Sequence, residues 1–200
     1  MMPGHAMDEQ EQYLFYTSCL AAARGRTVTV RTFDFGADRT MADAYQGVQS
    51  SKLGLRGIRS SLRNLPQMAV QICALMRAAT KGPLRVMFPM VTDIEDWDSA
   101  MQVVDHCRRK LTERGVEFEP DVPFGVMLSV PAACLTAEDF TAHGCRFFVI
   151  GTNDLTQYTH AVSRELAIAE HYYRPASPAM KKLIAMVVDA ARKADIPVTI

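Results

Sequence analysis

Short apolar runs alternate with longer segments whose apolar residues recur every three or four positions, and this alternation organises the chain. Residues 8 to 24 place Tyr13, Tyr16, Cys19, Leu20 and Ala23 at helical spacing, which predicts an amphipathic helix capped by Asp8 and ended at Gly25. Thr27–Phe33 is rich in β-branched residues and predicts a strand that delivers Arg31 and Asp34 towards its carboxyl end. A helix follows over residues 67 to 80, with Met68, Ile72, Leu75, Met76 and Ala79 on one side and Pro66 in its first turn. Leu84–Met90 predicts a second strand, and Asp93 caps a helix that runs to about Arg114. Pro123–Ser129 predicts a third strand, and Pro131 opens a short helix to about Ala142. Phe147–Ile150 reads as a fourth strand buried on both faces, broken by Gly151 just before Thr152, Asn153 and Asp154. From there an irregular segment is expected to Ala176, then a helix opened by Ser177 and Pro178, then a last apolar run, Ile196–Ile200.

Short strand, loop and longer helix in repetition imply an α/β fold of parallel strands with right-handed helical crossovers. An open sheet and part of a closed barrel both satisfy this rhythm. In either, chemistry gathers at the carboxyl ends of the strands. The polar segment from Phe35 to Ser51 is a long loop, and a loop of that length inside a compact domain is often functional.

The chain has 200 residues, 48% of them hydrophobic, enough for one domain with a sizeable core and too few for two ordinary ones. A single domain over residues 1–200 is expected, with 1–7 disordered. Twenty-two basic residues balance twenty-two acidic ones, so no global field favours nucleic acid or an anionic membrane. Attraction for an anion has to be local. The five cysteines are widely spaced, with no CxxC pair, which argues against a disulfide framework and a zinc site and fits a reducing cytoplasm. No apolar run reaches membrane-spanning length.

Arg31, Arg56, Arg59, Asn153, Asp154 and Arg164 fall on or just after predicted strand ends. Arginine's planar fork matches carboxylate and phosphate oxygens in two-point contacts, so a small dianion is the natural ligand class. Asp154 beside such a ligand suits Mg²⁺, which takes one or two protein carboxylates and completes its shell from substrate and water. Asp154 could equally cap a turn or helix. The cysteines and methionines read as core residues, and His160 and His171 as structural histidines.

The run Ile150-Gly151-Thr152-Asn153-Asp154-Leu155-Thr156-Gln157-Tyr158-Thr159 closely resembles the signature of the phosphoenolpyruvate-utilising enzymes, most of all enzyme I of the bacterial sugar phosphotransferase system. Further blocks stand in family order: Arg31–Gly36, Gly54–Arg59, Met87–Met90, Gly125–Met127 with Pro131–Ala133, and His171–Pro178. The resemblance implies part of a phosphoenolpyruvate-binding TIM (β/α)8 barrel, lacking the first two strands and the last one or two. It further implies that Arg31, Arg56 and Arg164 bind the phosphate and carboxylate of phosphoenolpyruvate, that Asn153 adds a contact, and that Asp154 is one of two carboxylates holding Mg²⁺. The implied reaction is transfer of the phosphoryl group to a protein histidine, the work of a transferase.

Three departures bear on that reading. Ser129 stands where the family has its other metal-binding carboxylate, and a neutral hydroxyl is a poor ligand for a hard cation. None of the cysteines matches the family's catalytic position, and the phosphohistidine domain lies outside the sequence. An impaired phosphotransferase domain is therefore expected. A non-catalytic interaction module or a remnant of a disrupted enzyme is the alternative. Because an incomplete barrel exposes two sheet edges, a homodimer or a complementing chain is the expected partner.

Overall fold

A computed structural model describes residues 7–34 and 53–200. The long loop expected from Phe35 to Ser51 lies outside the described residues, as does the amino-terminal segment expected to be disordered, except Met7. The Met7 carbonyl accepts from Gln12 Nε2 at 3.0 Å.

Eight α-helices are described: α1 (Glu9–Ala23), α2 (Ile58–Ser61), α3 (Leu65–Ala78), α4 (Ile94–Glu113), α5 (Pro131–Leu135), α6 (Ala137–Ala142), α7 (Thr152–Thr159) and α8 (Pro178–Lys193). The strands are β1 (Val28–Arg31), β2 (Leu84–Pro89), β3 (Phe124–Leu128), β4 (Phe148–Ile150) and β5 (Val198–Thr199). Their order in the sheet is β1-β2-β3-β4-β5. A doubly wound sheet reverses its order at a switch point, whereas strands that follow one another without reversal belong to the barrel type of winding. The open alternative is thereby set aside.

Local chemistry fixes most element ends as the sequence leads one to expect. Asp8 and Glu11 form a reciprocal capping box at α1. Asp93 Oδ1 accepts from the Asp96 amide at 3.1 Å, and Ser177 Oγ accepts from the Met180 amide at 3.2 Å. Two elements differ from expectation. The helix opened by Pro131 breaks at Thr136, whose hydroxyl turns back onto the Ala132 carbonyl at 3.2 Å and competes with the helical pattern. The segment expected to be irregular up to Ala176 starts instead as a helix, α7, in which threonines and Asn153 have poor helix propensity but Leu155, Thr156 and Gln157 are buried, so tertiary packing overrides local preference.

The described residues gather into two compact units. The first takes the chain up to Val86 together with Ser99–Pro123. Here α1 packs along α3, and Tyr16, Leu20, Met68, Ile72, Leu75 and Met76 are buried. Glu9 clamps this unit at its rim: Oε1 lies 2.7 Å from Arg77 Nη1 and Oε2 lies 2.8 Å from Arg114 Nη1. Burial alone would raise the Glu9 pKa, but the guanidiniums of Arg114 and Arg77 outweigh it and hold the carboxyl below its usual range.

The second unit takes Met87–Asp98 together with Phe124–Ile200. Phe88 stacks on Phe124 with centroids 5.6 Å apart and meets Trp97 edge-on at 6.0 Å. Trp97 Nε1 finds its acceptor in the His143 carbonyl at 3.0 Å. Strands β3 and β4 pair in parallel with Val126 opposite Phe148 and Leu128 opposite Ile150, and β4 pairs in parallel with β5. Their approach depends on Gly125: a Cβ there would run into the Phe147 carbonyl oxygen and lie 2.7 Å from its ring.

Two outcomes follow for stability. A carboxylate with a depressed folded pKa stabilises above its unfolded value, near ~4.3, and that contribution is lost as pH falls through the folded value. Glu9→Gln therefore lowers the thermal midpoint at neutral pH, and the gap from the parent closes on acidification; a gap constant through the acid range would assign the loss to packing. Gly125→Ala forces β3 from β4 and costs about 1–3 kcal/mol in a denaturant titration, the usual range for overpacking; an unchanged midpoint would show that the strands can separate without loss.

Candidate functional site

Strand β1 ends at Arg31, and the chain continues through Thr32 and Phe33 to Asp34. The Phe33 amide donates to Gln71 Oε1 at 3.0 Å, and Gln71 Nε2 donates to Tyr16 Oη at 2.9 Å. Both Gln71 and Tyr16 are buried, so this series fixes the exit of β1 against α3 and α1. Burial pushes the Tyr16 phenol up, with the Gln71 contact opposing, and the hydroxyl stays protonated at neutral pH.

The glycine-rich turn that carries Arg56 is shaped by Gly54 and Gly57, both in the left-handed region at φ 90° and 57°. It brings Arg56 onto Asp34. Nε lies 3.2 Å from Oδ1 and Nη2 lies 2.7 Å from Oδ2, a bidentate pair. Arg31 Nη1 approaches Oδ2 at 3.4 Å. The Asp34 side chain is 3% exposed, Arg56 14% and Arg31 44%. Arg59 is turned elsewhere, its Nη1 donating to the Gly54 carbonyl at 3.2 Å.

In the second unit the end of β4 leads straight into α7. Gly151 stands at the junction: a Cβ there would lie 2.8 Å from Met127 Cε and 3.3 Å from Ser129 Cβ, so a larger residue would require the end of the Met127 side chain to move aside. The Leu155 amide closes the first turn on the Gly151 carbonyl at 3.0 Å. Asn153 and Asp154 stand in that turn, Asn153 exposed and Asp154 buried at 9% exposure. Tyr173 Oη donates to the Asn153 carbonyl at 3.2 Å. Arg164 lies past the end of α7 with its side chain region exposed, and its backbone amide donates to Gln157 Oε1 at 3.2 Å. Ser129 is 1% exposed, and its hydroxyl donates to the Met127 carbonyl at 3.2 Å.

The structure thus brings Arg31 and Arg56 together within one unit, and Asn153, Asp154 and Ser129 at neighbouring strand ends within the other. Asp34 is the residue on which the two arginines meet, and the sequence pattern left it without a role. The signal available was a charge pair three residues apart, Arg31 and Asp34, at the end of a predicted strand.

The donor set does not fit a resident Mg²⁺. Among the described residues no three of His, Cys, Asp and Glu cluster as a metal site. Asp154 supplies one carboxylate, and the Ser129 hydroxyl is engaged with backbone. Hard cations want oxygens of carboxylate strength.

The remaining candidates are structural. His160 Nδ1 lies 3.0 Å from the Thr156 carbonyl and Nε2 lies 3.0 Å from Ser177 Oγ, so its ring joins the end of α7 to the cap of α8. His171 packs its ring on Tyr172. Cys73, Cys107, Cys134 and Cys145 are buried, and burial pushes the Cys134 and Cys145 thiols up to about 12, far from nucleophilic use. Met90 follows β2 in the left-handed region at φ 61° while 2% exposed, a strained backbone position at a strand end.

Residues 1–200 match the family described as PEP-utilising enzyme, PEP-binding domain. Relatives named phosphoenolpyruvate-protein phosphotransferase include those of Cupriavidus necator, 35% identical over 96% of this chain, and Enterococcus faecalis, 37% identical over 92%. The protein of that name from Haemophilus influenzae is 36% identical over 92% of this chain. The chain spans about a third of the length of each: 33%, 32% and 32%. Among solved structures, a citrate lyase from Burkholderia xenovorans LB400 covers 96% of this chain and 50% of its own, with a TM-score of 0.55 and 15% identity, a likeness of fold alone. Its match over the full length of the sequence places the chain in the phosphoenolpyruvate-binding domain family of the PEP-utilising enzymes.

Proposed function

We propose that residues 1–200 act as one phosphoenolpyruvate-binding domain of a phosphoenolpyruvate-protein phosphotransferase, a transferase of the bacterial sugar phosphotransferase system. The observation that carries this reading is the arginine pair at the end of β1, with Arg31 and Arg56 gathered on one carboxylate inside a family block. Two guanidiniums gather at this strand end, and their planar forks match phosphate and carboxylate oxygens. Arg31 and Arg56 take phosphate and carboxylate oxygens, and Asn153 and Arg164 are the candidate ligand contacts of the second unit. Phosphoryl transfer asks little covalent chemistry of a protein; positioning and neutralising charge on the moving group is most of the work. The arginines suit that task.

Mg²⁺ would supply additional charge neutralisation at the transferring group, and Asp154 is the residue that would face it. With Ser129 in place of a second carboxylate, we read metal-assisted transfer as impaired while ligand binding is retained. The family match favours ligand binding over a purely non-catalytic interaction module. Among the described residues no helix is long and apolar enough to cross a membrane, and the buried free thiols suit a reducing cytoplasm. A second copy or a complementing chain would cover exposed sheet edges.

Calorimetric titration of the chain with phosphoenolpyruvate should give saturable heat, weakened at least about tenfold in Arg56→Ala, as expected for loss of a charge-assisted bidentate donor. No heat from the parent chain would remove the ligand reading. Ser129→Glu should confer a Mg²⁺-dependent gain in phosphoenolpyruvate affinity that the parent lacks; an identical titration with and without Mg²⁺ in that variant would show that the missing carboxylate is not what limits the site.

A further inference from the structure

Asp34 has no role in the family resemblance, yet it stands between the two arginines. Its carboxylate is almost wholly buried, and a charge that deep is tolerated only when donors fill its oxygens. Arg56 fills both, through Nε to Oδ1 at 3.2 Å and Nη2 to Oδ2 at 2.7 Å. A planar fork held at two edges has its plane fixed, so the orientation of the Arg56 guanidinium is set before any ligand arrives. Arg31 Nη1 shares Oδ2 at 3.4 Å, which draws the second guanidinium to the same edge.

The carboxylate is itself anchored. Its neighbour Phe33 is tied by backbone amide to Gln71, and Gln71 to Tyr16, so the exit of β1 is braced on two helices. Arg56 comes from a segment twenty-two residues further on, and Asp34 is the group that joins the two. The exposure gradient runs the same way: the carboxylate is enclosed, while Arg56 and more so Arg31 reach towards solvent.

We infer that Asp34 is a positioning residue, which presets Arg56 and Arg31 for a dianionic ligand. The inference rests on the reading of those two arginines as the anion-binding groups. Its negative charge opposes an incoming anion, and orientation of the forks works in the other direction. Preorganisation dominates where the donors would otherwise be long, mobile side chains whose rotamers must be frozen on binding.

Asp34→Asn keeps the shape and one acceptor oxygen but removes the charge and the second acceptor. Phosphoenolpyruvate affinity by calorimetry should fall at least about tenfold, and the same substitution in an Arg56→Ala background should change affinity less than about twofold, because Asp34 acts through Arg56. Tighter binding in Asp34→Asn, or equal losses in both backgrounds, overturns the inference. Should Asp34→Asn fail to fold, Arg56→Lys carries the test: it keeps the charge but lacks the fork, and affinity equal to the parent overturns the inference. A second readout needs no ligand. In the ¹⁵N-arginine-labelled chain, the Arg56 Nε–H signal should be protected from solvent exchange and lose that protection in Asp34→Asn. A parent chain with this protection but no phosphoenolpyruvate binding refutes the ligand reading and leaves the positioning of Arg56 standing. A parent chain without it refutes the positioning whatever the ligand does.

Discussion

A polar group taken out of water has to find a partner, and this constraint governs where polar side chains survive in the structure. The middles of the strands hold Val86, Phe88, Val126 and Phe148, all fully buried. Buried polar residues are found instead just beyond strand ends and on the helices that brace them: Thr32, Gln71, Ser129, Asp154 and Gln157. Three have a visible account, whereas the Thr32 hydroxyl has no hydrogen-bond partner among the described residues. Gln71 uses both ends of its amide, Ser129 satisfies a backbone carbonyl, and Gln157 holds the amide of Arg164. Asp34 is the extreme case, because an ionised carboxylate demands the strongest donors, and two arginines meet it.

The two compact units solve the same placement problem by different means. In the first, charge does the work: a carboxylate at the end of β1 collects guanidiniums from its own strand and from a distant turn. In the second, backbone does it. Gly151 permits a close pass over Met127 and Ser129, the helix starts at once, and Asn153 and Asp154 are delivered in its first turn. An ionic cluster tolerates movement of its backbone, since long arginine side chains can follow the carboxylate. The crossing at Gly151 is close for a different reason: a side chain there would meet the flexible end of Met127 at 2.8 Å and Ser129 Cβ at 3.3 Å, and these neighbours would have to give way.

Much of this was legible along the sequence. β2, β3 and β4 showed as apolar runs because both faces of each are largely covered, and α1, α3, α4 and α8 showed as helical stripes because one face of each meets the core. α7 was invisible for the converse reason: eight residues with Leu155 as the one aliphatic side chain carry too little periodicity, and its burial comes from partners remote in sequence. The break at Thr136 depends on a hydroxyl choosing the backbone, which pattern does not disclose. At the site, spacing alone named the arginines without choosing among them, whereas the resemblance had already singled out Arg56 rather than Arg59. The turn geometry shows how the two differ, sending Arg56 to Asp34 and Arg59 to its own loop. The fork is a tertiary contact across twenty-two residues, so no local spacing rule contains it.

The departure at Ser129 gains meaning from this separation. Anion recognition on the proposed reading draws first on Arg31 and Arg56, and neither needs a carboxylate at residue 129. Holding a divalent cation, on the same reading, would draw on Asp154 and the side chain at 129. A serine there leaves the first set intact and removes half of the protein's share of the second. Its hydroxyl is also committed, donating to Met127 only two residues back, and to recruit it for a cation would leave that carbonyl without this donor. The substitution is thus self-consistent as packing. It keeps the strand end buried and hydrogen-bonded without the partner that a buried carboxylate would require. The same constraint that places two arginines around Asp34 explains why a residue without charge can stand at 129: where no cation is held, a carboxylate at 1% exposure would be an uncompensated cost, and a serine is not.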